Sequence, residues 1–434
     1  MWERRRVTRR QIQFKHSSIM FLKTKIHEVM QSLPCGLSKL IFQIYRAVRS
    51  LGKCILYMIY LIPAALLRVF NFRVPSFCHV ERIGHLLAEP DCYLKEERLG
   101  LIPKHRVIML ASEQQVANQA ALGYWRQYFI VITSPMIVRL LRPFSWHPLT
   151  RFDVSKYAVA INTTALFPKI QALWDDRPPL LRTNPEDTYR GQKALEEIGV
   201  PSGTWFVCIH SREGGYSPSD EHLHSFRNSC FEDYLMAIKY IISLGGMCIM
   251  MGGPTMRPAP KMEGLIDYAH HPMRCDWLDL YISANCRFFL GNTSGAFYMS
   301  SVFGVPVACA NMAPLSAVFP CGKKDIGIPK LYKEASSGRL LTFKEILDSP
   351  ASNFRYSSEF NAAGLELVNN PPEEIRDLAI EQFERSASPN FAYDDEDETL
   401  QFRFRELFKP GHYMYGSASR VGRAFLKRYQ HLLP

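Results

Sequence analysis

The chain has 434 residues, 47% of them hydrophobic, which excludes a disordered or fibrous protein and provides for two or three globular domains. Its formal charge of +11 is uneven: residues 1–50 hold eleven Lys and Arg against Glu3 and Glu28, a balance of +9, and the rest is nearly neutral. A nucleic-acid groove spread over the fold is thereby excluded, and the expected partner of the basic end is an anionic membrane surface.

Eleven cysteines, an odd number, include no C-x-x-C pair. Cys208, Cys248, Cys286 and Cys309 lie in apolar runs, where a thiol serves as a small core residue. This usage fits a reducing cytosol and neither a zinc ribbon nor a disulfide scaffold. The thirteen histidines form no metal-ligand spacing, and His270-His271, before a proline, is expected in a loop.

In chain order, Arg4-Arg5-Arg6 and Arg9-Arg10 open a basic arm with no small-residue cleavage site after its apolar region, unlike a secretory signal. Leu37, Leu40, Ile41, Ile44, Tyr45, Val48 and Leu51 then recur on one helical face, with Lys39, Arg46, Arg49 and Lys53 on the other, predicting a basic amphipathic helix. Residues 54–67 follow without a charge, bracketed by Lys53 and Arg68 and interrupted by Pro63. A helix of fourteen residues is about 21 Å long, short of the roughly 30 Å hydrocarbon core. Residues 1–72 are therefore expected to form a monotopic or re-entrant anchor at a cytoplasmic leaflet, the alternative being a buried hairpin.

The globular part is expected to begin near Phe77, with a first strand over 77–86 ending in Gly84-His85 and further strands over 106–111 and 128–133, separated by helices. Residues 136–190, rich in Pro, Arg and aromatics, have no clean period and complete this domain with a linker. A second α/β unit follows. Its predicted parts are a helix over 185–198, a strand over 205–209, a polar loop over 217–230, a helix over 231–244 ended by Gly245-Gly246, a strand over 247–251 ended by Gly252-Gly253-Pro254, and a short helix over 276–281. The expected fold class is α/β, with two Rossmann-like domains facing a cleft behind an N-terminal basic helical arm. The boundaries are 1–75 for the arm, 76–190 and 191–390 for the two domains, and 391–434 for a helical tail.

Residues 286–311 read as strand, polar loop, buried helix and strand. The loop is Gly291-Asn292-Thr293-Ser294-Gly295, with Ser294 placed as N-cap of a helix that Gly304-Val305-Pro306 stops. At the carboxyl end of a parallel strand such a loop receives an anion on unpaired N–H groups, which points to a phosphate or sugar-nucleotide site; an ordinary crossover turn is the alternative. Arg212, just past the strand over 205–209, is expected at the same sheet edge, where a guanidinium can hold a diphosphate and stabilise the charge left when a glycosyl bond breaks. His210 points to the same side.

Taken in order, His210-x-Arg212, the helix and strand, Gly-Gly-Pro, then FFLGNTSG and GVPV resemble the C-terminal half of a GT-B glycosyltransferase, distantly similar to fucosyltransferases with an H-x-R strand end. More closely, residues 77–434 resemble a family of bacterial glycosyltransferases associated with surface-polysaccharide genes. The resemblance is carried by Arg82-Ile83-Gly84-His85-Leu86, His210-Ser211-Arg212-Glu213, Phe226-Arg227-Asn228, Gly291 to Gly295, Ile328-Pro329-Lys330 and Val421-Gly422-Arg423-Ala424-Phe425-Leu426. It implies a nucleotide-sugar donor site in the C-terminal domain, formed by His210, Arg212, Gly253, Asn292, Thr293, Ser294 and Gly295. Where fucosyltransferases have a second basic residue or an aspartate, this chain has Glu213-Gly214-Gly215, so the resemblance does not name GDP-fucose.

Catalysis is expected to involve His85 as general base, with Glu213 the second choice and Arg212 on the leaving group. No metal and no cofactor beyond the donor substrate are expected. The only D-x-D, Asp395-Glu396-Asp397, lies in an acidic run expected to be a solvated loop, and Glu366 either reaches a ribose or sits on a strand edge. The expected activity is transfer of a sugar from a nucleotide donor to a lipid-linked or polysaccharide acceptor at the cytoplasmic face of the membrane. The alternatives are a nucleotide-sugar epimerase and a non-catalytic membrane-associated assembly protein.

Overall fold

A computed structural model describes residues 35–75, 79–159, 166–214, 221–315, 322–388 and 390–434. The arginine cluster at 4–10, residues 77 and 78 of the expected first strand, and residues 215–220 at and before the polar loop lie outside the described residues. The chain divides into a small unit ending at Phe70, joined by His147–Leu149, and a large unit of Asn71–Trp146 and Thr150–Pro434.

In the small unit the expected amphipathic helix is present as α1 (Cys35–Ile59), followed by α2 (Leu61–Val69). The break falls at Tyr60, and Pro63 is the third residue of α2, where its missing N–H leaves no helical acceptor unpaired. Ile44, Val48, Leu51 and Ile55 are each more than half exposed, so α1 presents an apolar face to solvent. The His147 ring packs edge-on against Tyr57 at 5.4 Å, and its Nε2 lies 3.2 Å from the Tyr57 carbonyl. Among the described residues no single helix is long and apolar enough to cross a membrane, although Gln43–Ile59 and Leu61–Val69, bent by 57°, together have the length and composition.

The large unit is mixed α/β with parallel sheets. Its N-terminal half holds β1 (Phe72–Pro75), β2 (Arg106–Leu110), β3 (Ile130–Ile132) and β4 (Arg151–Phe152) in the order β3-β2-β1-β4. Helices α3 (Ile83–Arg98), α4 (Gln119–Trp125), α5 (Pro135–Leu141) and α6 (Leu166–Trp174) accompany them. The strands expected over 106–111 and 128–133 are present as β2 and β3. The strand expected over 77–86 is not: Gly84 and His85 lie in the first turn of α3, and the first strand is Phe72–Pro75, ended by a proline that cannot continue a ladder. Gly84 and Pro90 hide the helical spacing of Ile83, Leu86, Leu87, Tyr93 and Leu94. Pro90 has no N–H to give the Leu86 carbonyl four residues back, and the Trp125 indole N–H donates to that oxygen instead, at 3.0 Å. A helix carrying an internal proline is thereby kept whole.

The C-terminal half begins with α7 (Pro185–Glu197) and β5 (Phe206–His210), then α8 (Glu221–His224), α9 (Leu235–Ser243), β6 (Met247–Met250), β7 (Leu265–Ile266) and α10 (Asp276–Asn285). It continues with β8 (Phe289–Asn292), α11 (Tyr298–Ser301), β9 (Val307–Met312) and β10 (Ile326–Pro329). With β11 (Arg420–Val421) these strands form a parallel sheet in the order β11-β10-β9-β8-β5-β6-β7. Cys208, Cys248, Cys286 and Cys309 are buried in its core, as their apolar neighbours imply. From β5 the chain runs out to β6 and β7 on one side and returns to β8, β9 and β10 on the other, so direction reverses between β5 and β8. The carboxyl ends there flank the crevice where ligands of open α/β sheets bind.

An antiparallel pair, Leu331–Glu334 with Leu365–Val368, stands beside the sheet; in it Glu366 pairs with Lys333 at 2.7 Å. The acidic run is not a loop. Asp394 caps a helix over Asp395–Arg405 by accepting the Asp397 N–H at 2.7 Å, its acids occupy the first turn where the helix dipole favours them, and Lys427 binds Glu396 and Asp397 at 3.1 and 2.9 Å.

Candidate functional site

At the reversal point, Ser225–Ser229 is strapped across four strand ends. Ser229 donates its N–H to the Arg212 carbonyl at 3.0 Å, beyond β5. Asn292, at the end of β8 and fully buried, donates from Nδ2 to the Arg227 carbonyl and accepts the Arg212 N–H on Oδ1, both at 2.8 Å. Asn311 of β9 reaches Ser229 Oγ at 3.0 Å. Past β10, buried Lys330 donates to the Phe226 and Asn228 carbonyls, each at 2.8 Å, and so uses two of its three N–H donors. The motif residues Phe226-Arg227-Asn228 and Lys330 are thus two sides of one contact.

Cations converge under this strap. The Arg212 guanidinium, 13% exposed, donates to the His224 carbonyl at 3.3 Å and to Asn228 Oδ1, and lies 3.9 Å from the Glu221 carboxylate. His224 is held below its usual value by burial first, then by the charges of Arg227, Arg212 and Arg82. Burial and, secondarily, Arg212 lower the Lys330 ammonium to about 8. Arg212 and Lys330 thus meet at Asn228, one on its side chain and the other on its carbonyl, with the Glu221 carboxylate beside Arg212 and the charges of Arg227 and Arg82 close enough to act on His224. Beside them lies a cavity of about 630 Å³ whose lining includes Phe226, Asn228, Arg257, Lys330, Phe360 and Glu366, all within the C-terminal half. Of these residues only Arg212 and Asn292 stood among the expected donor contacts.

The other half meets this edge at two glycines. A Cβ on Gly295 would come within 2.9 Å of the Gly84 nitrogen, and one on Gly84 within 2.9 Å of the Gly295 Cα. These two glycines therefore allow backbone-to-backbone contact between the first turn of α3 and the loop after β8. Ser294 is the cap expected of it, its Oγ accepting the Ala296 N–H at 3.1 Å, although the following helix is shorter than expected: one 3₁₀ turn and α11. Gly84→Ala or Gly295→Ala forces these backbones apart, costing about 1–3 kcal/mol by overpacking, and is expected to lower the unfolding midpoint by several degrees; Gly253→Ala, with only Thr255 Oγ1 at 4.0 Å, leaves it unchanged. Differential scanning calorimetry distinguishes the two.

His85, next to Gly84, is buried, and its Nδ1 lies 2.6 Å from Oε1 of the fully buried Glu89. Glu89 is a functional candidate missed at the level of sequence, where its i, i+4 spacing from His85 is meaningful only if the stretch is helical. Each remaining residue has a definite place. The His210 Nδ1–H donates to the Met251 carbonyl at 3.0 Å, and desolvation lowers the ring. Glu213 accepts the Arg257 N–H at 3.0 Å, toward the β6 side with Gly253. Thr293 is fully buried and accepts the Ala313 N–H at 3.3 Å. Hence Arg212, Asn292, Ser294, Gly295 and the helix bearing His85 share one edge, and His210, Glu213 and Gly253 are tied to its β6 flank. Among the described residues no three His, Cys, Asp or Glu side chains are grouped to hold a metal ion.

No family model and no curated protein matches the chain. Among solved structures it is similar to a glycosyl transferase family 9 protein from Veillonella parvula DSM 2008, with 12% identity over 55% of this chain and 79% of that one and a TM-score of 0.34. It is also similar to ADP-heptose LPS heptosyltransferase II of E. coli, with 12% identity over 60% and 90% and a TM-score of 0.37. A third is the iron-containing dodecameric glycosyltransferase TibC of enterotoxigenic E. coli H10407, with 14% identity over 55% and 57% and a TM-score of 0.33. These similar structures are glycosyltransferases, and at such low overlap each residue's role rests on the geometry of this chain alone.

Proposed function

We propose that the protein is a GT-B-type glycosyltransferase that moves a sugar from a nucleotide-sugar donor to a lipid-linked or polysaccharide acceptor in cell-surface glycan synthesis. The observation that carries this reading is the meeting of Arg212 and Lys330 at Asn228, at the reversal point of a parallel sheet with Arg227 and Arg82 near His224, and with the His85–Glu89 helix seated on the same edge through Gly84 and Gly295. The donor diphosphate lies among these cations, and the nucleoside extends into the adjoining cavity. Asn292 acts as the brace that fixes the Arg212 backbone, and Ser294 caps the turn facing the sugar.

In the reaction the acceptor hydroxyl attacks the anomeric carbon, the bond to the diphosphate oxygen breaks, and the hydroxyl proton passes to His85. Guanidinium and ammonium groups take up the charge that develops on the leaving diphosphate, as in a metal-independent enzyme. The exposed apolar face of α1 and the basic residues 1–50 hold the enzyme at the cytoplasmic face of a membrane.

The test is a thermal-shift screen against UDP-, GDP-, CMP-, dTDP- and ADP-sugars. One nucleotide class is expected to raise the unfolding midpoint by a few degrees at saturation and to serve as donor in a transfer assay. No stabilisation by any of them counts against the reading and favours the non-catalytic alternative.

A further inference from the structure

The helix α5 (Pro135–Leu141), PMIVRLL, has no buried residue although six of its seven residues are apolar. Met136 is 78% exposed, Leu140 61%, Ile137 41% and nearby Trp146 39%, whereas the only charge within α5 is Arg139. An isolated exposed leucine is ordinary, but an entire apolar turn and a half left on the surface marks a docking face. The charges around it define its occupant. No Asp or Glu occurs between Glu113 and Asp153, and that interval carries Arg126, Arg139, Arg142 and Arg151. Arg142 lies 6.0 Å from the Trp146 ring, an aromatic and a cation paired beside the apolar turn. Apolar side chains with arginines and a tryptophan at their margin match the depth profile of a bilayer interface: methylenes below, indole and guanidinium at the level of anionic headgroups. A protein partner of the same footprint carries no comparable need for arginine with acid excluded.

We propose that α5 is a second lipid-contact element, carried by the catalytic body itself, which inserts Met136, Ile137 and Leu140 into an anionic leaflet with Arg139 and Arg142 on headgroup phosphates. The proposal is independent of the donor chemistry and adds to the membrane role given to the N-terminal arm. A single weak insertion is reversible, and two together hold a protein at a surface.

Hydrogen–deuterium exchange of the full chain tests this with vesicles of phosphatidylglycerol and phosphatidylcholine, against pure phosphatidylcholine and no vesicles. Peptides covering 135–146 are expected to exchange slower with anionic vesicles only. Met136→Asp combined with Leu140→Asp is expected to abolish that protection and to weaken vesicle cosedimentation by on the order of tenfold, with the unfolding midpoint unchanged because neither side chain is buried. Unchanged exchange at 135–146 while peptides of α1 become protected overturns the proposal and leaves the arm as the sole anchor. Slow exchange already without vesicles overturns it in favour of a segment of this chain or a second copy covering the face. Protection that persists in the double variant overturns it as well.

Discussion

Arg212→Ala is expected to weaken binding of the donor nucleotide by about a hundredfold or more in isothermal titration calorimetry. The guanidinium is mostly desolvated and held by Asn228, the His224 carbonyl and Glu221, so it meets an incoming diphosphate already oriented. Truncating one partner of a buried charge-assisted contact costs about 2–5 kcal/mol, and Lys330 is held in its own place by its bonds to two carbonyls. The fold is expected to survive: Asn292 grips the backbone N–H of residue 212, which alanine retains. Arg212→Lys is intermediate, keeping charge without the planar fork.

The same site titrates through Lys330. Its ammonium, lowered to about 8 from its ordinary 10.5, loses its proton in the folded protein before the unfolded one. Between those values the unfolded chain binds more protons, so this group's contribution to stability becomes more favourable as pH rises. Donor binding follows the opposite sign if, as proposed, the diphosphate pairs with the ammonium: affinity is expected to fall as pH rises through about 8, and Lys330→Met to remove that step.

Much of the C-terminal sheet was legible because buried parallel strands read as short apolar runs closed by glycine or polar turns. Phe206–His210, Met247–Met250 and Phe289–Asn292 are of that kind, and they placed Arg212 and Asn292 at one edge. What those side chains do was not legible. Asn292 looked like a ligand contact and spends both ends of its amide on main chain, whereas the cap made by Ser294 was legible from its place before the helix. Such use depends on strand neighbours as far apart in sequence as Arg227 and Asn292, and local spacing carries no record of it. Lys330 was visible only as part of a motif, because its role follows from the carbonyls of a loop about a hundred residues earlier. The helix over Ile83–Arg98 was hidden for a different reason. Gly84 and Pro90 are helix-breaking locally, and each is compensated from outside the helix, Gly84 by close approach to Gly295 and Pro90 by the Trp125 indole.

That helix supports the second large effect. His85→Ala is expected to lower kcat by about a hundredfold to ten-thousandfold at saturating donor, while donor affinity measured by calorimetry stays within a few-fold of wild type. The split follows from the proposed roles, His85 serving the acceptor hydroxyl and Arg212 and Lys330 the donor diphosphate. Glu89 acts through His85. Its carboxylate accepts Nδ1–H at 2.6 Å, which leaves Nε2 as the basic nitrogen and supplies a negative partner for the imidazolium formed when the acceptor hydroxyl gives up its proton. Glu89→Gln keeps the volume but removes the charge, and an amide NH2 turned toward Nδ1 inverts the tautomer, placing the proton on the nitrogen that should receive one. Its kcat is expected to fall on the order of a hundredfold with KM for the acceptor little changed, whereas a purely structural role predicts a lowered unfolding midpoint with kcat per folded molecule intact. Exogenous imidazole is expected to restore part of the activity of His85→Ala and none of that lost in Arg212→Ala. A His85→Ala rate within about threefold of wild type would place the base elsewhere.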